Sequence, residues 1–185
     1  VRVCRARVGD LVSLTDGRGA HARAEVGSLR PHVVARLLDL DRAPEPAPRW
    51  IACGVPEGER ADWMVEKLAE LGVTSFQPVD ATRAGWRFGQ SRLERWCRLT
   101  RAALGQSRGR HLMEVLRPVR IESWLETAEG VAGTRWVGDA EGRRPGNPDP
   151  LVGRAWAGLV GPSPGFDERE LRVIEARGFH AIRLA

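Results

Sequence analysis

The sequence predicts an α/β protein: a mostly parallel sheet with helices on both faces, preceded by a small, incomplete β-barrel. Two observations lead to this fold class. After residue 48, strand-like and helix-like segments alternate, which is typical of a parallel sheet with helical crossovers. Before residue 43, apolar and polar residues alternate in short runs, which indicates antiparallel strands.

The first part of the chain predicts three strands and a hairpin. Leu11 to Thr15 is a short alternating run, and Ala20 to Val26 returns as a second one. Between them, Asp16-Gly17-Arg18-Gly19 is a turn signal. Val33 to Leu40 is the candidate for the third strand.

A proline-rich segment marks a domain boundary. Residues 43–48 read Ala-Pro-Glu-Pro-Ala-Pro, a composition typical of a stiff linker. We therefore expect a barrel domain over 1–46 and an α/β domain over 47–185.

The α/β domain is predicted from alternating elements with helix-stop signals between them. Gly72 ends the first helix, and Asp167 with Glu170 three residues on forms a capping box that starts the last one. In order, the predicted elements are strand Trp50–Val55, helix Ala61–Leu71, strand Val73–Val79, helix Arg92–Arg108, helix Ile121–Ala128, strand Thr134–Val137, strand Ala157–Val160, helix Glu168–Arg177 and strand Phe179–Leu184.

Composition narrows the class of protein. With 42% apolar and 29% charged residues, the 185-residue chain has the balance of a folded domain, and no stretch is long and apolar enough for a membrane helix. The three cysteines (Cys4, Cys53, Cys97) form no CxxC pair, which disfavours structural zinc and a disulfide framework. We expect a cytoplasmic protein without a metal.

The net charge points to an anionic partner. It is +5, and 28 of the 29 basic residues are arginine, Lys67 being the exception. A guanidinium binds phosphate through a two-pronged donor fork and stacks on bases, so this surface suits nucleic acid. A solvated basic surface without a partner is the other interpretation.

Two patterns carry no chemistry of their own. Gly17-Arg-Gly19-Ala-His-Ala22 matches a loose dinucleotide fingerprint, but Gly27 and Pro31 leave no room for the helix which that motif requires. We predict a hairpin there. The four histidines at 21, 32, 111 and 180 are isolated, with no HxxxH or HExxH spacing.

The predicted helix 92–108 has an apolar face and a basic face. At 100° per residue, Leu93, Trp96, Thr100 and neighbouring apolar residues fall on one side. The other side carries a stripe of arginines: Arg92, Arg95, Arg98, Arg101 and Arg108. Such a stripe can follow a phosphate backbone, or it can be an ordinary solvated face.

A second informative stretch is the loop Gly161 to Gly165. It lies between an apolar strand and the capped last helix. In open α/β sheets ligands bind at the carboxyl ends of strands, so this loop is a candidate for backbone contact with a ligand.

Five stretches of the chain, in order, resemble the motifs of one protein family. Gly58 to Val73 is similar to a helix signature ending in Glu-Leu-Gly-Val, and Pro78 to Arg83 to a "P…(S/T)ER" segment. Leu93 to Arg108 resembles an "RW…A…EQSxR" helix. Leu159 to Phe166, with Glu170, resembles "IGPEGGF…E", and Val3 to Asp10 is similar to "VLRxxxGD". The family that these motifs resemble is the RsmE-type methyltransferases, which modify N3 of a uridine in 16S ribosomal RNA.

The resemblance implies a fold and an activity. The fold is of the SPOUT class with a deep trefoil knot, behind a PUA-like barrel that helps hold RNA. The enzyme is a homodimer that transfers a methyl group from S-adenosylmethionine to a uridine in the decoding region of the small subunit. It implies cofactor contacts at Leu159, Val160, Gly161, Pro162, Gly165 and Leu184. It further places Arg83, Gln106 and Arg108 on the RNA or active-site side. Glu70 is a conceivable base, or simply part of an acidic helix face.

Three departures from the family pattern stand out. Pro164 replaces a glycine of the cofactor loop, which removes a backbone N–H, and Gly105 replaces a glutamate. The chain also stops at Ala185, before the "LGxRILRxETA" segment that threads the knot, and it starts inside the barrel motif, so we expect the full polypeptide to be longer. The alternatives are a non-catalytic RNA-binding protein derived from the family and a SPOUT methyltransferase for another RNA position.

Overall fold

A computed structural model describes residues 6–83, 89–130, 133–144 and 153–183 of the chain. Within these ranges the chain forms two sheets, one of three strands and one of seven. Cys4 and the first residues of the motif at Val3 to Asp10 lie outside the described ranges. Within the described ranges, no helix is long and apolar enough to cross a membrane.

The smaller sheet is antiparallel and confirms the three predicted N-terminal strands. Its order is β1-β2-β3, with β1 at Leu11–Thr15, β2 at Ala20–Ser28 and β3 at Val34–Arg42. Closure of these strands into a barrel stays a prediction. Several of their apolar side chains are exposed, among them Leu11, Leu37 and Leu40.

The hairpin predicted at Gly17 and Gly19 is also confirmed. Both glycines have positive φ, at 70° and 98°. The Asp16 carboxylate oxygen Oδ1 accepts hydrogen bonds from the backbone N–H of Arg18 (2.7 Å) and of Ala20 (3.0 Å). The turn is therefore fixed by glycine conformation and by an aspartate, and no helix follows it.

The larger sheet has the predicted parallel architecture. Its order is β10-β8-β9-β4-β5-β6, with β7 pairing β5, and the described pairings between its strands are all parallel. The strands are β4 Arg49–Cys53, β5 Ser75–Asp80, β6 Glu114–Val115, β7 Val119–Arg120, β8 Thr134–Arg143, β9 Trp156–Val160 and β10 His180–Ile182. The helices are α1 Glu59–Glu70, α2 Gln90–Gln106, α3 Ile121–Glu129 and α4 Glu168–Ala176. The sequence did not predict β6 and β7, because two residues carry no readable period.

Each face of the larger sheet has its own hydrophobic core. Consecutive residues of a strand point to opposite faces, and in β9 Leu159 packs with α3 and α4 whereas Val160 packs with α1 and α2. The first cluster includes Trp124 and Ile174, and the second includes Trp96 and Val65. The sheet is thus covered by helices on both faces, as the sequence predicts.

The small sheet is hydrogen-bonded to the loop that follows α2. The Gly19 N–H donates to the Arg110 carbonyl (2.9 Å), and the Leu112 N–H donates to the Gly17 carbonyl (2.8 Å). The Arg110 guanidinium adds an ion pair with Asp41 of β3 (2.7 Å). These contacts fix the small sheet beside the end of α2.

Trp96 is the largest fully buried side chain of α2, and its removal should be costly. Its indole N–H donates to Asp62 Oδ1 (2.8 Å). Its ring packs edge-on against Phe76, with 5.7 Å between the two ring centroids. Trp96→Ala should lower the free energy of unfolding by about 3–5 kcal/mol. Urea unfolding followed by circular dichroism measures this loss.

Trp63 provides the matched control, because it lies on the neighbouring α1 and is 65% exposed. Trp63→Ala should change the free energy of unfolding by roughly 0.5 kcal/mol or less. Equal losses for the two tryptophan variants would contradict the packing described for the core between α1 and α2.

Candidate active site

Three neighbouring strands of the larger sheet, β4, β5 and β9, present the residues that follow them at one edge; β4 and β9 end at the same level and β5 ends two residues farther on. β4 pairs with β5 and with β9, so Cys53 lies beside Pro78 on one side and Val160 on the other. The chain that follows these strands places Gly54, the segment Ala81 to Arg83, and the loop 161–167 at the carboxyl edge of the sheet. This edge is where open α/β sheets bind ligands.

The loop after β9 is a closed turn with a glycine in the left-handed region. The Gly165 N–H donates to the Pro162 carbonyl (2.7 Å), and Gly165 has φ of 76°. A Cβ on Gly165 would meet nothing within 4 Å, so the space above the turn is open. The ring of Phe166 packs under Gly161, where a Cβ would lie 3.2 Å from it.

Pro164 is accommodated in this turn. The closing hydrogen bond is donated by Gly165, so the missing N–H of Pro164 removes no bond from the turn. Its carbonyl also accepts a hydrogen bond from Arg83 Nη1 (3.3 Å). With proline at position 164, the loop therefore keeps the hydrogen bond that closes its turn and the hydrogen bond from Arg83.

Gly54 lets the ends of β4 and β9 approach each other. Its N–H donates to the Val160 carbonyl (3.0 Å), and a Cβ built on Gly54 would lie 2.6 Å from the backbone nitrogen of Pro162. No side chain fits in that space. The glycine is thus required by the close passage of the loop.

The segment after β5 is bonded to the start of α4. The Thr82 N–H donates to Glu170 Oε1 (2.7 Å), while Glu170 Oε2 accepts from the Asp167 N–H (2.9 Å). Asp167 Oδ1 in turn accepts from the Glu170 N–H (2.8 Å), which completes the predicted capping box. The bond to Thr82 was not predicted, since the two residues lie 88 positions apart.

Asp167 is held in its charged form. The backbone N–H of Glu170 is the main cause that lowers its pKa, and the N–H of Arg169, the side chain of Thr82 and the positive charge of Arg83 act in the same direction. The start of α4 therefore keeps a carboxylate beside the Arg83 guanidinium.

Cys53 is not a nucleophile at this edge. Its side chain is buried, its thiol donates to the Gly54 carbonyl (3.4 Å), and burial raises its pKa to about 12. A thiol in this state carries almost no thiolate at neutral pH. In the described part of the chain, no three histidine, cysteine, aspartate or glutamate side chains are grouped as metal ligands would be.

Comparison with known proteins identifies the family. Residues 43–185 match the family model described as RNA methyltransferase domain. The chain belongs to this family. The match begins in the proline-rich segment that the sequence marks as a linker and includes every strand and helix of the larger sheet.

Two relatives of this RNA methyltransferase domain have the same name. The chain is 28% identical over 194 residues to the ribosomal RNA small subunit methyltransferase E of Synechocystis. The aligned region covers 99% of this chain and 62% of that protein. The chain is 29% identical over 126 residues to the protein of the same name from Aquifex aeolicus, covering 66% of this chain and 53% of that protein. The chain thus spans less than two thirds of the length of these relatives.

Solved structures confirm the fold. A ribosomal RNA small subunit methyltransferase E from Neisseria gonorrhoeae, bound to S-adenosyl methionine, superimposes with a TM-score of 0.85 at 27% identity. The match covers 100% of this chain and 78% of that one. A methyltransferase from Legionella pneumophila with bound cofactor has a TM-score of 0.81 at 19% identity, which supports the fold alone.

The structure places the predicted cofactor residues of this methyltransferase domain around the loop after β9. Gly161, Pro162 and Gly165 form the turn, and Val160 ends the strand before it. Leu159 lies between β4 and β8, is fully buried in the core and has no exposed surface. Leu184 lies outside the described residues.

The predicted RNA-side residues are divided between the two edges of the sheet. Arg83 lies at the carboxyl edge, bonded to the loop. Gln106 and Arg108 lie at the far end of α2, which runs back from the end of β5 toward the amino edge. Glu70 ends α1 near the same amino edge and is paired with Lys67 at 2.7 Å. Arg83, Gln106 and Arg108 therefore do not form one cluster within a single chain.

Arg108 has a backbone conformation that is unusual for a side chain of its size. Its φ is 53°, and the next residue, Gly109, donates its N–H to the Leu104 carbonyl (3.1 Å) across the helix end. This position in a helix-terminating turn normally holds glycine, and another residue there costs about 1–2 kcal/mol. Arg108 is therefore a strained position, and its side chain is exposed.

A basic groove lies at the amino edge, where the small sheet meets the larger one. Its volume is about 920 Å³. The Nε atom of Arg49 is buried in this region without a hydrogen-bond partner. The groove is lined by the basic residues Arg18, Arg42, Arg49, Arg110 and His111, and also by the acidic residues Glu45, Glu70 and Glu114.

The arginine face predicted for α2 is exposed. Arg95 pairs with Asp62 of α1 at 2.6 Å. Among the described residues, Arg98, Arg101 and Arg108 make no ion pair, and all three are exposed. These charges are thus available to an external anion, and they continue toward the groove at the end of the helix.

Gly54→Ala should displace the loop after β9. The new Cβ would meet backbone at 2.6 Å, so β4 and the loop must separate, at a cost of about 1–3 kcal/mol in the free energy of unfolding. Thermal unfolding followed by circular dichroism measures the change.

Gly105→Ala in α2 is the matched control, because its Cβ would meet nothing within 4 Å. Alanine in a helix interior should stabilise the protein by about 0.5–1 kcal/mol. A Gly54→Ala variant as stable as wild type would show that the loop does not pass as closely as described.

Proposed function

We propose that the chain is an S-adenosylmethionine-dependent methyltransferase that acts on N3 of a uridine in 16S ribosomal RNA, in the decoding region of the small subunit. The observation that carries the proposal is the turn from Gly161 to Gly165, held by Gly54 on one side and by Arg83 on the other. It lies at the ligand-binding edge of a sheet that belongs to the RNA methyltransferase domain family.

The residues present fit a cofactor of this kind. Val160, Gly161 and Gly165 are partly exposed at this edge, and the space above Gly165 is open, so main-chain groups there can contact a ligand. Pro162 is buried and closes the turn through its carbonyl. A methyltransferase relative has been solved with S-adenosyl methionine bound. When bound, the cofactor supplies a methyl group activated by its sulfonium.

Arg83 is the proposed contact with the reacting base. Methyl transfer to N3 requires the loss of the N3 proton, which leaves negative charge on the uracil. A guanidinium fixed at this position stabilises that charge. The bond from Arg83 to the Pro164 carbonyl orients the side chain before RNA arrives, so less ordering is left to the reaction.

The arginine face of α2 and the amino-edge groove are the proposed RNA surface, and they include Gln106 and Arg108. They lie at the other edge of the sheet from Arg83, so one chain presents its cofactor loop and this surface in different places. We propose a homodimer, in which a second copy can complete the arrangement. The relatives are named as methyltransferases of small-subunit ribosomal RNA, which supports ribosomal RNA as the substrate and, with it, a cytoplasmic location.

A non-catalytic RNA-binding protein of the same family is the second candidate. The proline in the cofactor loop favours it, because Pro164 fixes the backbone where the family pattern has glycine. This candidate binds RNA without any effect of S-adenosylmethionine.

Methyl transfer to RNA tests the proposal. The chain is incubated with small-subunit ribosomal RNA and S-adenosylmethionine carrying a labelled methyl group, and the product is mapped by mass spectrometry. The proposal expects one 3-methyluridine in the decoding region. A methyl group at another position favours a SPOUT enzyme of different specificity, and RNA binding without transfer favours the non-catalytic protein.

The salt dependence of RNA binding tests the arginine face of α2. A double variant, Arg101→Gln with Arg108→Gln, should reduce the slope of log K against log salt by about 1.4–1.8, since each lost phosphate contact removes about 0.7–0.9. Filter binding at several salt concentrations gives the slope.

Arg172→Gln is the control for this measurement. Arg172 is an exposed arginine on α4, on the other face of the sheet, so its removal should leave the slope unchanged. An unchanged slope in the double variant would exclude α2 from the RNA surface.

A further inference from the structure

Glu170 stands out among the acidic residues because it is buried. It is 6% exposed, and it is the one charged side chain among the described residues that belongs to the protein interior. Burying a carboxylate is unfavourable unless its oxygens are hydrogen-bonded. Each oxygen of Glu170 has such a partner, and the two partners belong to different segments of the chain.

A capping box explains only one of these two bonds. In that motif the carboxylate of the third helical residue accepts the N–H of the N-cap residue, which here is the bond from the Asp167 N–H to Oε2. The bond from the Thr82 N–H to Oε1 is additional and is the shorter of the two, at 2.7 Å against 2.9 Å. It joins α4 to the segment after β5.

The two segments that Glu170 joins carry the two halves of the candidate active site. Thr82 directly precedes Arg83, the proposed contact with the base. Asp167 directly follows the loop 161–166, the proposed cofactor contact. Arg83 Nη1 also reaches back to the Pro164 carbonyl of that loop (3.3 Å). The loop, Glu170, Thr82 and Arg83 therefore form a closed ring of contacts.

We propose that Glu170 is a positioning residue that couples cofactor binding at the loop to the position of Arg83. The inference rests on the proposed function. When the cofactor orders the loop, the Asp167 end of that loop is held in place, and through Glu170 the Thr82–Arg83 segment is held with it. RNA that engages Arg83 stabilises the loop in return, because such coupling between two ligands is reciprocal.

The test measures how each ligand changes the affinity for the other. For the wild-type 185-residue chain, the affinity for S-adenosylmethionine is measured by calorimetry without and with an RNA fragment of the small-subunit decoding region. We expect the RNA to tighten cofactor binding by roughly fivefold or more, within the usual range of such coupling. The affinity for RNA should rise by the same factor when the cofactor is present.

Glu170→Gln removes the link with the smallest change of shape. Its amide has one acceptor oxygen and one donor NH₂, and because both partners are N–H donors, one of the two bonds is lost. We expect the coupling factor to fall toward 1 and kcat to fall about tenfold, while the Kd for S-adenosylmethionine in the absence of RNA changes little. A residue that only starts the helix would change stability and leave the coupling factor as it is.

Glu168→Gln is the matched control. Glu168 lies in the same first turn of α4, and its side chain is 92% exposed, so the same substitution there should leave the coupling factor unchanged. If Glu170→Gln does not fold, amide hydrogen exchange of the wild-type chain replaces it. The Thr82 amide should exchange more slowly once S-adenosylmethionine is added.

The outcomes separate this inference from the function on which it rests. A wild-type chain that binds neither S-adenosylmethionine nor RNA overturns both. A wild-type chain that binds both and transfers the methyl group, but binds them independently, overturns the inference alone. The same holds if Glu170→Gln keeps the wild-type coupling factor, or if the exchange of the Thr82 amide does not respond to the cofactor.

Discussion

The rest of the structure depends on the parallel register of β4 with its two neighbours. Cys53 lies opposite Pro78 of β5 and Val160 of β9, so β4 and β9 end at the same level and β5 ends two residues farther on, at Asp80. That level determines which residues meet at the carboxyl edge. The position after β4 must be a glycine, Gly54, because the loop after β9 passes within 2.6 Å of the place where a Cβ would lie. A shift of this register by one residue would exchange the two faces of the sheet and bring other residues to the edge.

The same topology separates two surfaces. Helices that cross back between parallel strands begin at the carboxyl edge and end at the amino edge, so α2 carries its C-terminal residues away from the loop. The cofactor loop and Arg83 lie at one edge, and Arg108 and the basic groove lie toward the other. The proposed substrate, ribosomal RNA, is large enough to contact both edges, and the proposed second copy of the chain offers another way to bring them together. This division explains why Arg83, Gln106 and Arg108, which the family resemblance places on one side, are not adjacent in one chain.

The sequence predicted most of the fold because the strands and helices are marked by local signals. The hairpin at Gly17 and Gly19, the apolar face of α2 and the capping box at Asp167 all follow from residues within a few positions of one another. The two-residue strands β6 and β7 were missed because their pairing depends on β5 and not on their own pattern. The bond between Thr82 and Glu170 could not be predicted either, since no local pattern relates residues 88 positions apart. The sequence explains Glu170 by the capping box alone, and nothing in that motif indicates its second hydrogen bond, to Thr82.

The account depends on the claim that the turn from Gly161 to Gly165, with proline at position 164, forms a cofactor site. A calorimetric titration of S-adenosylmethionine into the 185-residue chain tests it most directly. The account predicts saturable binding near one site per chain, and loss of that binding when Gly54→Ala displaces the turn. Equal binding by wild type and Gly54→Ala, or no binding by either when both are folded, would contradict it.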